Sequence, residues 1–132
     1  MLPTQLLTPL AIYALLTAAL VGIVFMYRTS LVLLRRSPAN VWPRSHPATE
    51  PTIVQRAHDA HKNCVETFPL LLVALLALAN NSEALLSWGW CVSWLVGLRL
   101  IQSAIHVIGT QPALVFTRGL FFAGQMLGLT LL

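Results

Sequence analysis

Charge is scarce in this chain. Of 132 residues, eight are Lys or Arg and four are Asp or Glu, 9% in all, against 57% hydrophobic residues. A soluble domain carries charge at about a quarter of its positions, so the shortage excludes an ordinary water-soluble globule. Cysteine is scarce too. Cys64 and Cys91 stand alone without Cys-x-x-Cys spacing, which points away from a disulfide-stapled fold, a cysteine metal site and a dithiol redox pair. Both fall in apolar segments and are expected to be buried free thiols. Nothing basic precedes the first apolar segment, which is also too long for a signal core, so the expectation is that it stays in the mature protein.

What the sequence has instead is long apolar runs. Segments 6–27, 53–79, 84–108 and 112–132 each approach the ~20 residues that a helix needs to cross hydrocarbon. They are continuous and rich in Leu and Ala, whereas barrel strands are shorter and alternate apolar with polar. The reading is an all-α membrane protein, one domain of four transmembrane helices in up-down-up-down order. The connections "NNSE" and "GTQP" are short enough to force antiparallel neighbours. The connection after helix one holds four of the eight prolines and is expected to be a structured or lipid-hugging loop. Thr49 or Thr52 can cap helix two, with Pro51 in its first turn.

Basic residues set the orientation. Arg28, Arg35, Arg36 and Arg44 lie in the first connection and Arg56 and Lys62 open helix two, while threading brings Arg99 and Arg118 toward the same side. The positive-inside rule makes that side cytoplasmic, with both termini outward, as in a bacterial inner membrane. Trp88, Trp90 and Trp94 fall in the opening turns of helix three, where an interfacial belt is expected. The net charge of +4 is explained by this topology and by anionic lipid, so nucleic acid is set aside.

One stretch breaks the apolar pattern. "RAHDAHKNCVETFP", residues 56–69, puts two histidines, two cations and two carboxylates at the head of helix two. At ~100° per residue, Arg56, Asp59, Asn63 and Glu66 share an arc of ~80°. Pro69 follows a turn later, where a bend is expected. On helix three Arg99, Gln102 and His106 share a face, and on helix four Arg118, Phe122 and Gln125 do so. Ionisable groups at membrane depth are costly and mark functional sites by default.

Three readings compete. Glu66 could pair with Arg99 or Arg118 as interhelical glue, with Asn63 and Gln102 bonding between helices. His58 and His61 at i, i+3 could begin a metal site with Glu66 or His106, but the surrounding cations disfavour it and no metal is expected. The excess of positive charge favours the third reading, a small zwitterion with more than one carboxylate, held by arginine forks with Glu66 receiving an ammonium group.

The stretch resembles the signature of the MAPEG family, membrane-associated proteins in eicosanoid and glutathione metabolism, whose second helix reads R-x-x-R-A-H-x-N-x-x-E-x-x-P. Arg56, Ala60, His61, Asn63, Glu66 and Pro69 fit the pattern. The resemblance implies a homotrimer with glutathione between subunits near the cytoplasmic side. It implies Arg56, Asn63, Glu66, Arg99, Gln102 and His106 as glutathione-binding residues, and Arg118 as the catalytic residue that stabilises the thiolate. The activity implied is glutathione transfer to, or peroxidase reduction of, a hydrophobic substrate arriving from the bilayer. Two departures bear on activity: Asp59 stands where the family has a second arginine, and His106 where many members have a tyrosine. Both weaken the inference of activity, and Asp59 favours an alternative, a non-catalytic protein of the same fold binding another anion or a lipid headgroup. A proton-coupled transporter using Glu66 is disfavoured, since no acidic residue lies in the outer half of the membrane to complete a path.

Overall fold

The computed structural model describes residues 4–42, 50–109 and 111–131. They form four helices and no strand: α1 (Thr4–Leu33), α2 (Thr52–Ala79), α3 (Ser82–Ile108) and α4 (Pro112–Leu131). All four are long and apolar enough to cross a membrane. Arg44, Thr49 and the Trp88 side chain lie outside what is described, whereas Trp90 and Trp94 of the expected belt are exposed.

Local chemistry fixes the helix ends. Helix α1 continues past the expected end at Tyr27 and closes in a Schellman motif, with Arg36 N–H donating to the Leu31 carbonyl at 2.9 Å and Arg35 N–H to Val32 at 3.0 Å. Arg35 takes the left-handed conformation there, with φ 53°. Helix α2 differs from expectation at its start. Pro51 is the N-cap and no side chain caps it. The Pro51 carbonyl receives Val54 and Gln55 N–H, so Thr52 is simply the first helical residue. Helix α3 begins earlier than expected because Asn81 Oδ1 accepts from the Glu83 and Ala84 N–H groups at 3.1 and 3.2 Å.

Helices α1, α2 and α3 pack on one another, and α4 leans on α3 while barely touching α2. The apolar core is built from Leu6, Tyr13, Leu20 and Val24 of α1, a small-residue line of Ala57, Ala60 and Cys64 on α2, and Val92 and Val96 of α3. Small side chains let helix backbones approach where lipid supplies no hydrophobic drive. Outward faces stay apolar, as a bilayer requires: Phe25, Met26, Val73, Phe116 and Leu127 are all exposed. Cys64 is buried and Cys91 is partly exposed, so only the first fits the expectation of a buried thiol.

Polar contacts pin α1 to its neighbours in the chain. Arg28 forks onto Glu50 through Nε–Oε1 at 2.6 Å and NH2–Oε2 at 3.1 Å, and lies 5.9 Å from the Trp42 ring centre. His61 Nδ1 donates to the Thr17 carbonyl at 3.2 Å, which gives this histidine a structural partner on α1.

The α3–α4 seam is tight at one glycine. A Cβ at Gly128 would stand 2.8 Å from Leu95 Cδ2, the tip of a flexible side chain, so a residue larger than glycine makes that leucine shift. Gly128→Val is therefore expected to destabilise the protein by about 1–3 kcal/mol in detergent thermal unfolding, and Leu95→Ala in the same chain to recover part of that loss. Equal melting of the single and double variants would show that the seam is not limited at this contact.

Candidate functional site

A buried arginine organises the polar centre. Arg99 is 2% exposed, and the apolar run around it offers no solvent to stabilise its charge. Its NH1 donates to Gln102 Oε1 at 2.8 Å and its NH2 to the Thr67 hydroxyl. Gln102 is held in turn, its Oε1 accepting from Gln125 Nε2 at 3.0 Å and its Nε2 donating to the Arg118 carbonyl at 3.4 Å. On the other side, Tyr13 O–H donates to the Cys64 carbonyl at 2.6 Å and lies 2.9 Å from the Thr67 oxygen. The network touches all four helices.

No carboxylate joins it. The only ion pair among the described residues is Arg28–Glu50. Glu66 is exposed and does not pair with Arg99 or Arg118, contrary to the ion-pair glue considered from sequence. Neutral oxygens carry the Arg99 charge inside the protein, and the guanidinium keeps donors to spare.

Arg99 is also one of the residues that line a cavity of about 290 Å³ between α2, α3 and α4. Its polar lining is Asn63, Glu66, Thr67, Arg99, Gln102, His106 and Arg118; Val115, Gly119 and Phe122 complete the wall. Asn63 Nδ2 lies 3.4 Å from His106 Nδ1, a contact in which the ring nitrogen accepts. The Arg118 side chain, half-buried, makes no ion pair or hydrogen bond among the described residues. Six of the seven residues singled out in the sequence thus line one cavity. The seventh, Arg56, does not. Its NH1 donates to the Ile108 carbonyl at 3.0 Å and the Val107 carbonyl at 3.5 Å, closing the C-terminus of α3.

The chain matches the profile of the MAPEG family over residues 6–132, nearly its whole length. It belongs to the MAPEG family. No curated protein and no solved structure matches it significantly. This MAPEG protein is an integral, multi-pass membrane protein of a family linked to glutathione metabolism.

Thr67 and Gln125 complete the polar centre without having been singled out as site residues. A threonine beside Glu66 in an apolar helix reads as a helix residue bonding its own backbone, and Thr67 does lie 2.9 Å from the Asn63 carbonyl. Its value to Arg99 is tertiary and leaves no mark in spacing. His61 is engaged with Thr17, and among the described residues no three His, Cys, Asp or Glu side chains gather.

Removing the Thr67 oxygen leaves the buried Arg99 short of an acceptor. Thr67→Val is expected to cost about 1–3 kcal/mol in stability despite its matching shape, and Thr67→Ser to cost less than about 1 kcal/mol. Calorimetry of the detergent-solubilised variants checks the difference, and equal losses would show the hydroxyl to be immaterial.

Proposed function

We propose that the cavity binds glutathione and that Arg118 stabilises its thiolate for attack on a hydrophobic electrophile, or for reduction of a hydrophobic hydroperoxide. The observation that supports this reading best is the unmatched charge: Arg99 and Arg118 line one cavity with no carboxylate bound to either. Glutathione has two carboxylates, an ammonium group and a thiol. Its carboxylates suit the arginines and Asn63, and its ammonium suits Glu66. A fixed cation beside the sulfur lowers the thiol pKa, so the proton leaves to water and the thiolate bonds to an electrophilic carbon, displacing a leaving group that departs with its electron pair or adding to an activated double bond that is then protonated. With a hydroperoxide it attacks the terminal oxygen, the O–O bond breaks to release the alcohol, and the sulfenic acid formed is reduced by a second glutathione to disulfide and water. The apolar outer faces of the helices favour a second substrate that arrives through the bilayer.

We propose a homotrimer as part of the same reading. Helix α4 presents Val115, Phe116, Leu120 and Phe122 outward beside the cavity, and a neighbouring subunit seated there would close the site. The positive side of the chain is proposed to face the cytoplasm, with both termini outward.

The second reading, a non-catalytic protein of this fold binding another anion or a headgroup, draws on Arg56. That guanidinium is spent on α3 carbonyls, and Asp59 is exposed on the same helix face, so the mouth of the cavity is less cationic than the family pattern implies.

Rapid-mixing ultraviolet absorbance with glutathione tests the proposal. The expected result is a stoichiometric thiolate signal with proton release at neutral pH, reduced at least tenfold in Arg118→Leu, an assumed loss of about 1.4 kcal/mol. An unchanged signal in that variant would remove Arg118 from the role, and no signal in the folded wild type would favour the second reading.

Gly119 offers a steric test. A Cβ there meets nothing within 4 Å, so the first carbon of the Gly119→Val side chain enters open space at the cavity wall. The variant is expected to leave folding intact while abolishing the heat protection that glutathione gives the wild-type protein. Undiminished protection would place the ligand elsewhere.

A further inference from the structure

At the end of α1 the chain builds a second cationic site, remote in sequence from the residues of the cavity. Val32, Arg35, Arg36, Ser37 and Pro38 line a recess of about 430 Å³. Neither guanidinium makes a hydrogen bond or ion pair among the described residues. The last carbonyls of α1 are satisfied by backbone N–H groups, Leu31 by Arg36 and Val32 by Arg35, so neither guanidinium is needed as a cap. Arg56 provides the contrast, because its guanidinium does cap α3. Nor does an acid neutralise them: Glu50 is taken by Arg28, and among the described residues no other ion pair forms.

The conformation adds an independent sign. Arg35 holds φ 53°, where glycine is the ordinary choice and a side chain is strained. Glycine there would end the helix with less strain and without the charge. Immediately before it, Leu33 and Leu34 are 77% and 62% exposed, at the end of a membrane-length helix. Two bare leucines followed by two bare arginines and a serine hydroxyl reproduce, in order, the depth profile of a phospholipid: acyl chain, then phosphate.

We infer that the Arg35–Arg36 turn is a binding site for the phosphate headgroup of an anionic phospholipid, with Leu33 and Leu34 against its acyl chain. The site does not depend on the glutathione reading. It fixes the α1 end in the membrane surface beside the Arg28–Glu50 clamp.

The test uses the full chain in nanodiscs of phosphatidylcholine with about one-fifth phosphatidylglycerol, and native mass spectrometry of the lipids retained on release. Phosphatidylglycerol is expected to be retained in preference to phosphatidylcholine. Arg35→Gln with Arg36→Gln is expected to weaken that preference about thirtyfold, about 1 kcal/mol per arginine. Arg36→Gln alone should weaken it about fivefold, whereas Lys62→Gln, which removes an exposed cation of α2, should leave it within about twofold. Circular dichroism confirms that each variant is helical. Equal effects of Arg36→Gln and Lys62→Gln would reduce the site to general attraction and overturn it. Millimolar inorganic phosphate should not displace the lipid; displacement would make this a free-anion site. Glutathione thiolate formation is read separately in the same variants, so failure of either proposal is visible without the other.

Discussion

The structure depends on satisfying one cation. Arg99 sits 2% exposed in a chain that crosses hydrocarbon, and no carboxylate meets it. A charge in that position is tolerable only where fixed dipoles replace water, and here they come from Thr67 and Gln102. Each of these must itself be held, which brings in Tyr13 from α1 and Gln125 from α4. The buried polar side chains therefore specify how the four helices sit together, a job that their apolar surfaces, equally content against lipid, do poorly. Among the described residues no buried side-chain nitrogen or oxygen lacks a partner, so this specification is complete.

Supporting Arg99 with neutral groups has a chemical consequence. An arginine paired to Glu66 would present no net charge, whereas one resting on a threonine and a glutamine keeps its positive charge unneutralised at the cavity wall. The carboxylate that could have quenched it lies on the cavity wall, exposed, and so the pocket holds both signs at separate points. Separated charges of both signs suit a zwitterion better than a simple anion, whatever molecule occupies the site.

The helices and the membrane setting were legible because hydrophobic length is a bulk property. About twenty apolar residues in line need no tertiary information to be read as a span. The polar face of α2 was legible through its helical period, and Asn63, Glu66, Arg99, Gln102, His106 and Arg118 do come to one cavity. Arg56 did not join them, because a helix-face count fixes direction around the axis but not height. It stands nearly two turns before Asn63, level with the end of α3, and bonds there. Thr67 was invisible for a related reason: its hydroxyl can satisfy itself on its own helix, and only the arrival of Arg99 from α3 gives it a second task. Caps were the other blind spot. Pro51 and Asn81 win the helix starts through backbone and Asx geometry that composition does not rank.

The helix packed least closely on the others carries one wall of the cavity. Helix α4 packs on α3 and hardly touches α2, so the cavity forms where the bundle fails to close. Gly128 lets α4 approach α3 at one end, while at Gly119 open space remains where a side chain could have filled it. A bundle that packed α4 tightly along its whole length would bury more surface but would seal Arg99 behind Arg118 and Phe122. Gln102 reconciles the two demands, since it binds the Arg118 carbonyl and Gln125 at the seam while its oxygen supports Arg99. Gln102 thereby ties the wall of the cavity to the packing of α4 through one side chain.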